Sequence, residues 1–319
     1  MEDFFQGASV KLLDYIQYSF RELTQYPQWF VMRKLARFHF VRSWAFACAV
    51  RSQQSDYKTF SAFAPTAVEP SVEEVDASLI TDCLLSKGMF AGLQLLEPVR
   101  QEIVDFAYSS TCYGNKNPKW GFPVKRLEEA QALCDRPILT AGYFNSEQHC
   151  PAIKALRQDP NLLAIAAAYL QTTPVHVSSS LWWSFPVKSN ILQQSKAAQV
   201  FHCDIDDYRF LKFFFYFSDV DNESGPHTYI CGSHTKKPLL QQCLRGRATE
   251  SFLLNYYGRS NVKELCGSSG WGFVEDSFGY HKGAPPRTKP RLMLQIEFAM
   301  RDYGTQQDHF EEAQLERLI

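Results

Sequence analysis

The nine cysteines of this 319-residue chain include no CxxC pair and no spacing that suits a zinc site. An odd set of scattered thiols builds no disulfide framework, and no secretory leader opens the chain. Reduced cysteines and a cytoplasmic setting are therefore expected. An excess of one charge is missing too. The 33 Lys and Arg against 34 Asp and Glu leave a net charge of −1, which offers no basic surface for nucleic acid. Long apolar runs are absent: the stretch from Trp44 to Val50 is far too short to cross a bilayer, so no transmembrane segment is expected. No internal repeat or low-complexity tract appears. One absence is local: between Leu23 and Ser55 there is no acidic residue.

What is present is the composition of a globular protein, 45% hydrophobic and 21% charged, long enough for one large domain with an appendage. The first fifty residues read as helices. Leu12, Leu13, Ile16, Phe20 and Leu23 recur at helical spacing, with Ser9 as N-cap and Pro27 as a break. In the acid-free stretch, Arg33, Lys34, Arg37, Arg42 and Arg51 are interleaved with Trp29, Phe30, Phe38, Phe40, Trp44 and Phe46. Residues 28–51 suit contact with an anionic membrane surface. They also suit the commoner arrangement, a helical layer packed on a domain with its arginines solvated.

Pro65 and Pro70 precede an acidic patch at Glu73, Glu74 and Asp76, which places a boundary there. The expected layout is a helical N-terminal extension over 1–72, a main domain over 73–305 and a helical tail over 306–319. Glu97-Pro98 and Asp159-Pro160 read as first turns of helices. After Pro174 the texture changes to short β-rich runs that continue to about Ala299. Helices first and strands afterwards predict an α+β fold, with helices on one face of an antiparallel core.

Chemistry concentrates in that second half. His202 and Asp204 form an HxD pair, and residues i and i+2 of a strand point to the same side, so both can reach one ion. His281 lies far downstream. Two imidazoles and a carboxylate can occupy one face of an Fe(II) octahedron and leave three positions for other ligands. Ten residues after His281 comes Arg291, whose planar guanidinium suits a dicarboxylate. The run FLKFFFYFSDV follows the HxD pair. Alternation sets Leu211, Phe213, Phe215 and Phe217 on a face fit to pack under helices. Lys212, Phe214 and Tyr216 fall on the other face, which suits the inside of a ligand-holding barrel. Asp206 and Asp207 read as a solvated or substrate-facing loop, His227 and His234 as turn or strand-edge residues. Asp276 is either a neighbour of the ligand set or a plain strand-end acid. His39, His149, His176 and His309 have no partner at ligand spacing.

Over roughly residues 85–303 the chain resembles the phytanoyl-CoA dioxygenase family of Fe(II)/2-oxoglutarate-dependent oxygenases. The likeness is strongest in FHCDIDDYRFLKFFFYFSDVDNESGPHTYICGSHTK and EDSFGYHKGAPPRTKPRLMLQIEFA. It implies that His202, Asp204 and His281 bind Fe(II), and that Arg291 holds the distal carboxylate of 2-oxoglutarate. The implied fold is a double-stranded β-helix, a jelly-roll or cupin-like barrel of two antiparallel sheets buttressed by helices. The implied reaction consumes O2 and 2-oxoglutarate, releases succinate and CO2, and hydroxylates a C–H bond of a small, apolar or natural-product-like substrate. Asp204 argues against halogenation, because related halogenases have a small residue there.

One departure from the family pattern is Gly283, where many relatives carry a hydroxyl residue that helps hold the cosubstrate. Lys212 or Tyr216 could supply that contact, with Phe214 and Ser184 as wall residues. The competing readings are a non-catalytic binding barrel, a cupin-like metal enzyme without 2-oxoglutarate, and a membrane-peripheral protein led by its N-terminal helices.

Overall fold

Pro27 opens the helix Pro27–Leu35, at a position where its missing N–H removes no intrahelical bond. A turn leads into the long helix His39–Ala62. The computed structural model describes residues 20, 22–62, 69–243, 248–305 and 308–319; of the helix expected from the Leu12 to Leu23 spacing with its Ser9 cap, only Phe20, Glu22 and Leu23 lie inside them, and these are helical. Among the described residues no helix is long and apolar enough to cross a membrane.

Two expected helix starts form as read. Glu97–Ser109 has Pro98 in its first turn, and Pro160–Leu170 is capped by the buried Asp159, whose carboxylate accepts the N–H groups of Asn161 and Leu162. The same carboxylate accepts the Val72 N–H at 3.1 Å, tying the end of the N-terminal segment to the domain.

Among the described residues, eleven strands form two antiparallel sheets. They are β1 (Met89–Gln94), β2 (Thr111–Gly114), β3 (Gly121–Pro123), β4 (Thr140–Tyr143), β5 (Val175–Ser184) and β6 (Phe210–Tyr216). β7 (His227–Ile230), β8 (Val262–Leu265), β9 (Trp271–Glu275), β10 (His281–Gly283) and β11 (Arg291–Ala299) complete the set. The large sheet runs β1-β9-β6-β11-β5-β4-β2-β3 and the small one β10-β7-β8. The sequence places strands only after Pro174, yet β1 to β4 precede it. Each is three to six residues long and contains a glycine, which breaks the apolar alternation that marks a strand.

The two faces of β6 divide as its alternation predicts. Leu211, Phe213, Phe215 and Phe217 join a core with Ile80, Leu84, Ile103, Ala107, Leu162 and Ile165 from the backing helices. Phe214 and Tyr216 join Phe273 and Met293 of the large sheet and Tyr229 and Leu265 of the small one. The fold is thus α+β, with helices on one face of the large sheet and the small sheet over the other, as in a double-stranded β-helix. All seven β6 residues are buried, and each buried Phe contributes about 1.5–3 kcal/mol.

Two expectations change. The basic N-terminal layer is not simply solvated on its polar side: Met32, Ala36 and Arg42 are buried, while Phe40 and Trp44 are exposed. The segment after residue 307 is extended, with a single 3-10 turn at Glu312–Gln314 in place of a helix. Its backbone bonds instead along β3, with Gly121 N–H donating to Glu316 O and Leu318 N–H donating to Gly121 O.

Candidate metal centre

His202 and His281 face each other across an isolated antiparallel bridge, each N–H donating to the other's carbonyl at 2.9 Å. That pairing brings side chains 79 positions apart to the same side, with ring centroids 4.3 Å apart. His202 Nδ1 lies 2.9 Å from Val200 O, and His281 Nδ1 lies 3.0 Å from Gly279 O. A carbonyl only accepts, so both rings carry their proton on Nδ1 and present a bare Nε2. Asp204 is anchored by its N–H to Ser277 O at 2.9 Å. Its Oδ1 lies 3.8 Å from His202 Nε2 and its Oδ2 3.6 Å from His281 Nε2. One ligand atom from each residue falls within 4.8 Å of the others, and among the described residues no other His, Cys and acid cluster does this.

The electrostatics suit a cation. Burial, then the His202 ring, lower the His281 pKa to about 4, so it is a neutral ligand at pH 7. Burial works to raise Asp204, but Lys212 and then the two imidazoles outweigh it and hold the carboxyl far below its usual range. Neutral imidazole nitrogen and ionised carboxylate are the forms that bind a divalent metal. The donor set therefore fits an Fe(II)-type ion.

Arg291, 2% exposed, opens β11 directly opposite Ser184 of β5. Its Nη2 donates to Ser184 Oγ at 3.3 Å, while Nε and Nη1 are buried without a partner. A buried guanidinium with unused donors is the feature a carboxylate ligand would complete. Gly283 is explained by the same group, because a Cβ there would lie 2.8 Å from Arg291 Nη2. The hydroxyl next to the arginine comes from Ser184 on the neighbouring strand instead.

Lys212 and Tyr216 are engaged elsewhere. Lys212 Nζ donates to Asp204 Oδ2 at 2.7 Å and Asp206 Oδ2 at 2.8 Å. The Tyr216 hydroxyl donates to Leu265 O at 2.8 Å and accepts the His227 N–H at 3.0 Å. Neither keeps the free donor that a cosubstrate contact needs; the barrel interior selects polar side chains by cross-strand pairing as well as by ligand. Phe214 stacks on Phe273 at 5.0 Å and walls the site.

Two residues near the centre escape a sequence reading. His227, read as a turn or strand-edge residue, is 2% exposed, and its ring stacks on His281 at 5.6 Å and 13°. Its Nε2 lies 2.9 Å from Glu275 Oε2. Glu275 Oε1 accepts from Ser277 Oγ at 2.9 Å and stands 3.7 Å from His281 Nδ1. Burial raises the Glu275 carboxyl to about 7, and burial followed by the Arg291 charge pushes His227 well below its usual value. The pair shares one proton between Nε2 and Oε2. A charged residue ending the apolar strand WGFVE is the signal that points to Glu275; Gly225-Pro226 disguises His227 as a turn.

The remaining acids and histidines also take definite places. Asp207 is buried, where it accepts from the N–H groups of Tyr208 and Arg301 and the Tyr303 hydroxyl, so the expected solvated loop is instead a buried anchor. Asp276 is buried, bonded by Tyr169 Oη at 2.7 Å and paired with Arg42 at 3.6 Å. His234 meets only Leu85 O, at 3.3 Å. His176 does meet an acid, Glu147, at 3.0 Å, in a cleft of about 320 Å³ that none of the three ligand residues lines.

No protein-family profile matches the chain, and no curated protein matches it. Solved structures give distant likenesses. The non-heme alpha-ketoglutarate-dependent carbocyclase SnoK from nogalamycin biosynthesis is 14% identical, over 72% of this chain and 86% of that one, with a TM-score of 0.48. EvdO2 from Micromonospora carbonacea var. aurantiaca is 16% identical over 72% and 93%, also at 0.48. EctD from S. alaskensis with bound Fe is 14% identical over 75% and 86%, at 0.46. Likenesses this distant assign no family, ligand or activity to this chain.

Proposed function

We propose that this protein is a non-haem Fe(II)- and 2-oxoglutarate-dependent oxygenase similar to the phytanoyl-CoA dioxygenases. Residues 73–305 form its oxygenase unit and 1–72 a helical extension. One conjunction carries the reading. Two bare imidazole nitrogens and an ionised carboxylate converge within 4.8 Å, and the buried Arg291 has two nitrogens without partners. His202, Asp204 and His281 are the residues that would hold the metal, and the donor set is that of the facial triad of ferrous oxygenases.

When bound, Fe(II) supplies O2 activation coupled to decarboxylation of 2-oxoglutarate. The chain's own contribution is placement. The carbonyls of Val200 and Gly279 fix both rings with Nε2 toward the metal position, and Ser277 O fixes the backbone of Asp204. Arg291 holds the distal carboxylate of the cosubstrate along one guanidinium edge, Nη2 together with Nε or Nη1, while the other Nη2 hydrogen stays on Ser184. Phe214 and Phe273 exclude water from that side. The expected outcome is hydroxylation of a C–H bond in a small, apolar or natural-product-like molecule, with succinate and CO2 as coproducts.

The test is an anaerobic titration of the full chain with Fe(II) and then 2-oxoglutarate, followed by succinate release in air. A visible charge-transfer absorption that appears only with both additions supports the reading. Full iron binding without that absorption points to a cupin-like enzyme of another kind, and no iron binding to a non-catalytic barrel.

A further inference from the structure

Three carboxylates meet one ammonium beside the proposed metal position. Lys212 projects inward from β6 with a side chain 7% exposed, and donates to Asp204 and Asp206 at 2.7 and 2.8 Å. In the sheet it stands between two glutamates, Glu275 of β9 and Glu297 of β11, and Glu297 Oε2 is 3.6 Å from its Nζ. Asp206 follows Asp204 by two residues in HCDIDD. It lies outside the cluster of three ligand residues, but its Oδ2 bonds the same Nζ as Asp204 Oδ2, so only the ammonium stands between the two carboxylates.

A chelating keto acid needs two open metal positions, and the facial triad leaves three. If Asp206 joined Asp204 on the metal, one or more of these would be lost. Carboxylates chelate readily through one or two oxygens, so the triad alone does not prevent this. We propose that Lys212 is a positioning residue that keeps the Asp206 carboxylate off the metal, preserving room for the keto acid. The role rests on the ferrous reading above. It gives Lys212 a purpose that needs no contact with cosubstrate, and it explains why a lysine lies buried on the barrel's inner face with both strong bonds to acids of the ligand segment.

Separation of metal binding from cosubstrate binding tests it. Wild type, Lys212→Met and Lys212→Met/Asp206→Asn are loaded anaerobically with Fe(II), bound iron is counted with a chelator, and 2-oxoglutarate is titrated by its charge-transfer absorption. Lys212→Met should hold iron as wild type does, yet need about tenfold or more 2-oxoglutarate for half-saturation. The added Asp206→Asn should bring that value back to within about threefold of wild type, since the two changes act through one contact.

A Lys212→Met titration that matches wild type overturns the role. So does a double variant as weak as the single one, which would make Lys212 a direct cosubstrate contact. The double variant keeps the local net charge of wild type. Where the single variant does not fold, its titration therefore decides: near wild type supports the role, and about tenfold weaker overturns it. Wild type that binds no iron fails the ferrous reading itself, and this role with it.

Discussion

Replacing Arg42 by methionine should destabilise the whole domain although Arg42 lies far from residue 202 in sequence. The side chain comes from the helix His39–Ala62 and is 7% exposed. Its guanidinium stands 3.6 Å from Asp276 Oδ2, donates through Nε to Tyr208 O at 2.9 Å and lies 3.7 Å over the Phe278 ring. Methionine fills similar space without charge. Removing one member of a buried ion pair costs about 3–5 kcal/mol, because the other charge stays behind.

Asp276 keeps the Tyr169 hydroxyl at 2.7 Å and the Phe278 N–H at 3.0 Å. Those two bonds place the loss near the lower end, about 3 kcal/mol. At about 2–4 °C per kcal/mol for domains of 150–250 residues, and less for longer chains, the melting temperature should fall by about 5–8 °C.

The sign of the pH dependence follows from Asp276. Burial raises its pKa, but Arg42, then His234 and the Tyr169 bond, outweigh burial and hold it below the usual value. A depressed carboxyl contributes stability that is present above its unfolded pKa and lost as pH falls through the folded one. Without Arg42, burial dominates and the folded pKa rises. The cost then grows as pH climbs from about 4 through that raised value. The gap between variant and wild type should be widest near pH 8 and narrow toward pH 5. Differential scanning calorimetry of the metal-free full chain across that range measures it, with Arg42→Lys expected in between. A gap under about 1 °C near pH 8, or one that widens toward pH 5, refutes the reasoning.

Three further outcomes are expected. His202→Ala or Asp204→Ala should abolish iron retention and succinate release together, read by chelator assay and coproduct analysis; retained turnover would place the centre elsewhere. Arg291→Met should raise the KM for 2-oxoglutarate by about tenfold or more while bound iron stays at the wild-type level, since a charge-assisted bidentate contact is lost. His227→Phe should weaken Fe(II) by about 10–100-fold, because Glu275 loses the partner that orients it behind His281. Unchanged iron affinity in that variant would reduce His227 to a packing residue.

Features with short-range causes were legible. The faces of β6 follow from a two-residue period: Leu211, Phe213 and Phe215 enter the core under the helices, and Phe214 and Tyr216 the cluster on the other face. The helices at Glu97 and Pro160 follow from first-turn proline and an aspartate cap. The short strands before Pro174 did not show, since each carries a glycine and too few residues to display a period. The extended C-terminal segment did not show either, because its hydrogen bonds run to Gly121, almost two hundred positions away.

By itself, then, the chain presented the residues on which the proposed chemistry rests. The HxD pair, the distal histidine and the arginine ten residues later can be read without coordinates as a motif, although His202 to Asp204 lies outside every described strand and a bridge to His281 sets its geometry. The tertiary structure alone decided how those groups are supported. Sheet register set Lys212 between Glu275 and Glu297 and Arg291 opposite Ser184, and packing of the small sheet on the large one set His227 against Glu275. Those pairings join residues on different strands, and a buried charge takes whatever partner the register brings within reach. Composition and local spacing hold no record of register, so an ammonium fit for cosubstrate in the sequence becomes, in the folded barrel, the partner of two aspartates.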